Sequence, residues 1–222
     1  MSLERIHLRK LLRFFYLPTK ARIAALRDDI RSDLRKDAGV ASGGGDYHVP
    51  FWTDAKQHAA GQGDLPQLTH SRVAANPRRQ RLYPLLQAGF LTWWNEKRRW
   101  INEPFQILDY SVKNHFRLPT VNCVVKIENL LSVKIGDESH RLVYPYFSEE
   151  PVLNEEGSRL GIWILSQSLP NFSPNDFRVL DVLRGTSFAT IDHPLQGNEE
   201  ALFMGYYNAL LTEWEKLREE YR

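Results

Sequence analysis

The sequence predicts an α+β fold: a mainly antiparallel, four- to five-stranded sheet covered by helices, with a helical hairpin at the N-terminus. Three observations carry this. Apolar residues recur at three- and four-residue spacing through the first hundred positions. From residue 105 onward the period shifts toward two. A long helical stripe then returns at the C-terminal end.

Taken in order, residues 3–16 read as a helix, with Leu8, Leu11, Leu12 and Phe15 on one side and Arg5, Arg9 and Arg13 adjoining. Pro18 interrupts it. A second helix over 19–36 places Ile23, Leu26, Ile30 and Leu34 in a stripe, so the pair reads as an αα-hairpin. Residues 38–50, rich in small residues and including Gly43-Gly44-Gly45, read as a flexible connection or surface loop. Short helices are expected over 51–60 and 68–75. Proline closes local structure at Asn76-Pro77 and Tyr83-Pro84, because the residue before proline is pushed out of the helical region. A helix from Pro84 to about Trp100 then aligns Leu86, Phe90, Trp93, Lys97 and Trp100.

Val121, Cys123, Val125 and Ile127 alternate with other residues, and Leu131, Val133 and Ile135 resume the alternation after a bend or bulge at Glu128-Asn129. Gly136–Ser139 has hairpin chemistry, and 141–147 returns as a strand whose Pro145 suits an edge or bulge. Residues 154–168 read as a helix ended by Pro170. A second hairpin over 177–183 and 187–191 turns around Arg184-Gly185-Thr186. The last helix starts at Asn198, gains from Glu199 and Glu200 at its N-terminus, and carries Phe203, Tyr206, Leu210, Trp214, Leu217 and Tyr221 along one stripe. The order divides the chain into a basic helical region, 1–37, a linker and helical region, 38–104, and a sheet region with the C-terminal helix, 105–222. The last two are readable together as one domain.

The 222 residues include 29 Lys plus Arg, 27 Asp plus Glu, and 26 aromatic side chains. That composition supports a folded core and not a disordered chain. The net charge of +2 conceals a division, since residues 1–100 carry +9 and residues 101–222 carry −7. A single cysteine excludes an internal disulfide framework and any multi-cysteine zinc or iron–sulfur site. Arg9, Lys10 and Arg13 interrupt the opening apolar residues, unlike a signal peptide, and no stretch approaches the roughly 18 apolar residues of a membrane span. The expectation is a cytoplasmic protein without a membrane partner.

The chemistry-bearing residues give no complete catalytic motif. The triple glycine lacks the Lys-Ser/Thr of a phosphate loop. Asp54 and His58, with Asp46 and His48 upstream, have ligand-like spacing but no His-Glu-x-x-His and no cysteine partner, so no metal and no cofactor are expected. Cys123, on an apolar strand face, reads as a small buried hydrophobe. Asp181 shares an alternation face with Phe177, Val179 and Leu183, which calls for pairing with an arginine such as Arg184 or Arg178. Tyr144, Pro145, Tyr146 and Phe147, with Trp163 and Trp214, read as core, or as the lining of a ligand cleft.

The predicted order helix 84–100, three strands, helix 154–168 and strand 177–183 is αβββαβ, which resembles the core of PD-(D/E)xK nucleases. The resemblance implies an Asp near the end of the second core strand, where Asp137 lies, and an acid-x-Lys on the third. The strand 141–147 contains neither acid nor lysine, and Ser132-Val133-Lys134 has serine at the acid position. The resemblance therefore implies a divergent nuclease fold without the complete metal-binding motif.

The basic clusters remain. Arg78, Arg79 and Arg81 precede the aromatic helix and Lys97, Arg98 and Arg99 end it. Guanidinium and ammonium groups so clustered suit phosphate or carboxylate contact. The function expected is that of a non-enzymatic binding or assembly protein whose basic helical region contacts an acidic partner: a protein surface, a nucleic acid or a second copy of the chain. A divergent nuclease is the alternative.

Overall fold

A computed structural model describes residues 3–39, 46–98, 102–108, 112–118, 121, 123–136 and 139–221. The fold is α+β. Its strands form two sheets, not one, and each sheet is mixed.

The chain opens with strand β1 (Arg5–His7), which takes the first residues of the expected 3–16 helix. Helix α1 (Leu8–Tyr16) follows, then α2 (Thr19–Asp37) after Pro18. These two helices only partly meet the hairpin expectation. Lys10 pairs with Asp29 across them, but α2 docks on the C-terminal helix α7 (Glu199–Glu219), tied by Arg22–Glu213 at 2.6 Å and Arg27–Glu220 at 3.0 Å. Both ties join the basic first part of the chain to the acidic second part.

Helices α3 (Val49–Ala59), α4 (Leu65–Ala75) and α5 (Tyr83–Thr92) come next. The aromatic helix expected to reach residue 100 loosens early: from Trp93 to Lys97 it widens into a π-helical turn. Strands β2 (Phe105–Ile107), β3 (Asn114–Leu118), β4 (Cys123–Ile127), β5 (Leu131–Ile135) and β6 (Ser139–Tyr146) follow. Helix α6 (Glu155–Ser168), β7 (Phe177–Asp181) and β8 (Thr186–Phe188) complete the core.

The smaller sheet has the order β1-β4-β3, with β1 parallel and β3 antiparallel to β4. The larger has the order β2-β5-β6-β7-β8, antiparallel except for the parallel pair β6–β7 joined through α6. The strands read from 121–127 and 131–135 thus part company. Asn129, with φ of 66°, turns the chain out of one sheet and into the other, and its carbonyl accepts a hydrogen bond from the Trp52 indole. Asparagine tolerates this left-handed conformation better than most residues. The αβββαβ order exists in the five-stranded sheet, with β2 taking the place expected for 121–127.

The five-stranded sheet separates two apolar layers. On one face Leu142, Tyr144, Tyr146, Phe177 and Val179 pack with α1, α6 and α7, and the three-stranded sheet adds Leu118, Cys123, Val125 and Ile127 to that core. Helix α6 lies in the middle of it, which is why Gly157 through Ile162 are all buried. On the other face Leu131, Val133, Val143, Leu180 and Val182 pack with Phe51, Trp52, Tyr83, Leu86, Phe90, Trp93 and Trp94. Here α5 approaches the β7–β8 turn so closely that a Cβ on Gly89 would lie 2.1 Å from the Val182 carbonyl oxygen. Gly185 on the turn has φ of +56° and faces the Gly89 carbonyl. Backbone-to-backbone contact of this kind needs glycine on both sides, and it fixes the π turn beside strand β8.

Candidate functional site: a basic cleft beside strand β8

Strand register dictates the floor of the cleft. Val143 pairs with Arg178 across β6 and β7, and Leu180 pairs with Ser187 across β7 and β8. Side chains two apart share a face, so Arg141, Arg178, Ser187 and Ala189 stand on the same face as the apolar Val143 and Leu180. The aromatic cover of that face ends at the π turn. Beyond it the floor is left open, and Lys97 and Glu103 join the lining. The resulting cleft has a volume of about 410 Å³. Thr186, Ile191 and Asp192 complete its lining.

Three cations therefore come from three separate elements, with two hydroxyl side chains between them. Arg141 is steadied by its own strand neighbour, donating to the His140 carbonyl at 2.6 Å, and by Asp176 at 3.6 Å. Arg178 donates to the carbonyls of Asn175 and Phe177 at 2.7 Å. Such bonds hold a guanidinium in place at the cleft. Glu103 and Asp192 leave the lining one positive charge in excess. Chemically, the cleft is suited to one or two anionic groups that also accept hydrogen bonds from hydroxyls.

Of the six basic residues singled out from the sequence, Lys97 lines this cleft. Arg98 sits next to it on the chain but packs against two rings, 3.9 Å from the Trp94 centroid and 4.7 Å from that of Phe105. Desolvation there lowers its pKa. Arg99 lies outside the described residues. The other three are placed elsewhere. Arg81 makes a two-pronged pair with Glu149, at 2.5 and 2.6 Å, and Arg79 stacks over Tyr83 at 5.2 Å. Arg78 contributes its carbonyl to the Tyr47 hydroxyl. Arg141 and Ser187 carried no signal as motifs. From the sequence Arg178 reads only as a partner for Asp181. The available signal was an arginine at a strand position whose parity points into an apolar face.

The remaining candidates have structural roles. Asp181 is buried and pairs with Arg184 at 3.4 Å, while Arg184 also donates to the carbonyls of Ser148 and Glu149. Burial raises the Asp181 pKa and Arg184 opposes that shift. Burial also pushes the Cys123 thiol up to about 11, far from a reactive thiolate. Tyr144, Tyr146 and Phe147 are core residues. Asp54 is engaged through both oxygens by Arg72 at 2.8 Å, and Asp46, which also accepts from the His48 amide, by Arg9, so each of the two ligand-spaced acids is held by an arginine. Among the described residues no three of His, Cys, Asp and Glu gather as a metal site.

The acid of the acid-x-Lys pair that the nuclease resemblance requires is missing from the described strands that would carry it. β5 has Ser132 and β6 has only His140 and Arg141 as ionisable positions apart from its tyrosines. Asp137 and the triple glycine lie outside the described residues. No described helix is long and apolar enough to cross a membrane. Comparison with protein-family models, with characterised proteins and with solved structures finds no match to this chain.

Proposed function

We propose that the protein is a non-catalytic binding protein that holds one or two acidic groups of a partner in the cleft beside β8. The observation that carries this reading is the convergence of Lys97, Arg141 and Arg178 on one open space with Ser187 and Thr186. It narrows the basic surface expected from the sequence to its Lys97 end, because Arg81 is already bound to Glu149. Phosphate and carboxylate groups both fit this chemistry.

Fluorescence anisotropy with a labelled single-stranded oligonucleotide and, separately, a glutamate-rich peptide tests it. Binding of at least one probe is expected at low salt, weakening with a log–log slope of about −2 for the oligonucleotide, as for two or three neutralised phosphates. Replacing Lys97, Arg141 and Arg178 together with glutamine is expected to weaken binding about tenfold or more. Arg81→Gln is expected to leave it unchanged. Absence of binding to both probes at low salt, or equal binding by the triple variant, contradicts the proposal.

The strand order favours the nuclease alternative as a second reading. Incubation with DNA or RNA and magnesium or manganese tests it, and cleavage lost in Asp137→Ala would support it.

A further inference from the structure

We propose that the cavity beneath the last turn of α3 is a binding site for a small carboxylic acid with an apolar body, its carboxylate held by Lys56. The cavity measures about 160 Å³ and is lined from α3 and the segment after it by Thr53, Lys56, Gln57 and Gln62. From the sheet edge come Ile107, Leu108, Leu130, Leu131 and Ser132. Lys56 is the one ionisable side chain in that lining, and no carboxylate among the described residues forms an ion pair with it. Burial alone lowers its pKa to about 8.

An ammonium partly drawn out of water, with no counter-charge among the described residues, is a standing cost, which a bound monoanion removes. A phosphate dianion would bring a second charge that nothing in this lining compensates. The aliphatic side chains suit the rest of the ligand, and Thr53, Gln57 and Gln62 bring neutral polar groups to the wall. The volume equals roughly five water molecules' share of the liquid, enough for an acid about the size of hexanoate or benzoate. The site differs in kind from the cleft beside β8, which is larger and lined by three cations, and it does not depend on the function proposed for that cleft.

Calorimetry and saturation-transfer NMR on the full chain at neutral pH, with hexanoate, benzoate, hexanol and inorganic phosphate as probes, test the assignment. At least one carboxylate is expected to bind with a dissociation constant of about 0.1–1 mM, as suits a ligand of this size. Hexanol and phosphate are expected to bind at least about tenfold more weakly, because each lacks one half of the match. Lys56→Met, which keeps the aliphatic stem, is expected to weaken carboxylate binding about tenfold or more, and Lys56→Arg to keep it within about threefold. Circular dichroism of both variants controls for folding. If Lys56 serves only to complement the C-terminal dipole of α3, neither carboxylate saturates by about 10 mM, or Lys56→Met binds as well as the parent, and either result overturns the proposal.

Discussion

The five-stranded sheet uses arginine differently in two places. Past the ends of β6 and β7, arginines converge on the protein's own carboxylates: Arg81 on Glu149, Arg184 on Asp181, and nearby Arg9 on Asp46. Arg184 and Arg13 also bind carbonyls of the 148–150 loop, and Arg9 lies over Phe147, on which His48 stacks. At the starts of the same two strands, Arg141 and Arg178 are propped by backbone carbonyls, Arg141 also by Asp176, and both line an open cleft shared with Lys97. One set clamps a loop, and the other is the set proposed to receive a partner's acidic groups. The residue type is the same in both; what separates them is that Arg141 and Arg178 line an open cleft, with Arg141 also paired to Asp176 at 3.6 Å.

That comparison can be broken in a graded way. The largest effect is expected at Gly89, whose contact with the β7–β8 turn sets the helix beside the cleft. Gly89→Ala forces a Cβ into the Val182 carbonyl, and a loss of about 3 kcal/mol or more is expected in urea unfolding. Within the clamp, Arg184→Met leaves the buried Asp181 carboxylate without its cation. A loss of about 2–3 kcal/mol is expected, and raising the pH does not recover it. Acid acts more gently, on His48 in the clamp and on His7 in β1. His7 and His48 are held near a pKa of about 4, chiefly by burial, well below the ordinary value of 6.5. The unfolded chain therefore binds more protons between those values, so stability falls as pH drops from about 6.5 to about 4. The expected loss is about 1–3 kcal/mol, and His48→Phe is expected to flatten the profile. The smallest effect is expected at the cleft: Lys97→Gln leaves the melting temperature within about 2 °C, because no packing depends on an exposed ammonium. A large stability loss there would put Lys97 in the clamp class.

Much of the fold is legible in the sequence where the signal is local. α6 begins at Asn154, whose side chain accepts from the Gly157 amide, and the β7–β8 hairpin turns at Arg184-Gly185 as its residues indicate. The burial of Cys123 and the pairing of Asp181 follow from strand parity alone. At α7, Asn198 occupies the N-cap position, yet the exposed amides of Gln196 and Gly197 are met by the Glu199 carboxylate. Other features depend on distant partners. Residues 5–7 continue the helical pattern of 8–16, and only β4, more than a hundred residues away, makes them a strand. β2 and β3 lie in polar sequence with weak alternation, so 121–127 was the nearest available partner for 131–135. The cleft was least legible of all. Lys97 could be named from its cluster, but Arg141, Arg178 and Ser187 meet it only through register across three strands. The charge division of the chain shows the same limit: part of it is consumed internally by Arg22–Glu213, Arg27–Glu220 and Arg81–Glu149.

The most direct test of the division between clamp and proposed receptor is a phosphate titration followed through the arginine Nε–Hε resonances of the intact protein. The signals of Arg141 and Arg178 are expected to move in a saturable way, while those of Arg9, Arg81 and Arg184 stay in place. Movement of the clamp arginines with Arg141 and Arg178 unaffected, or no saturable movement at either place, would contradict it.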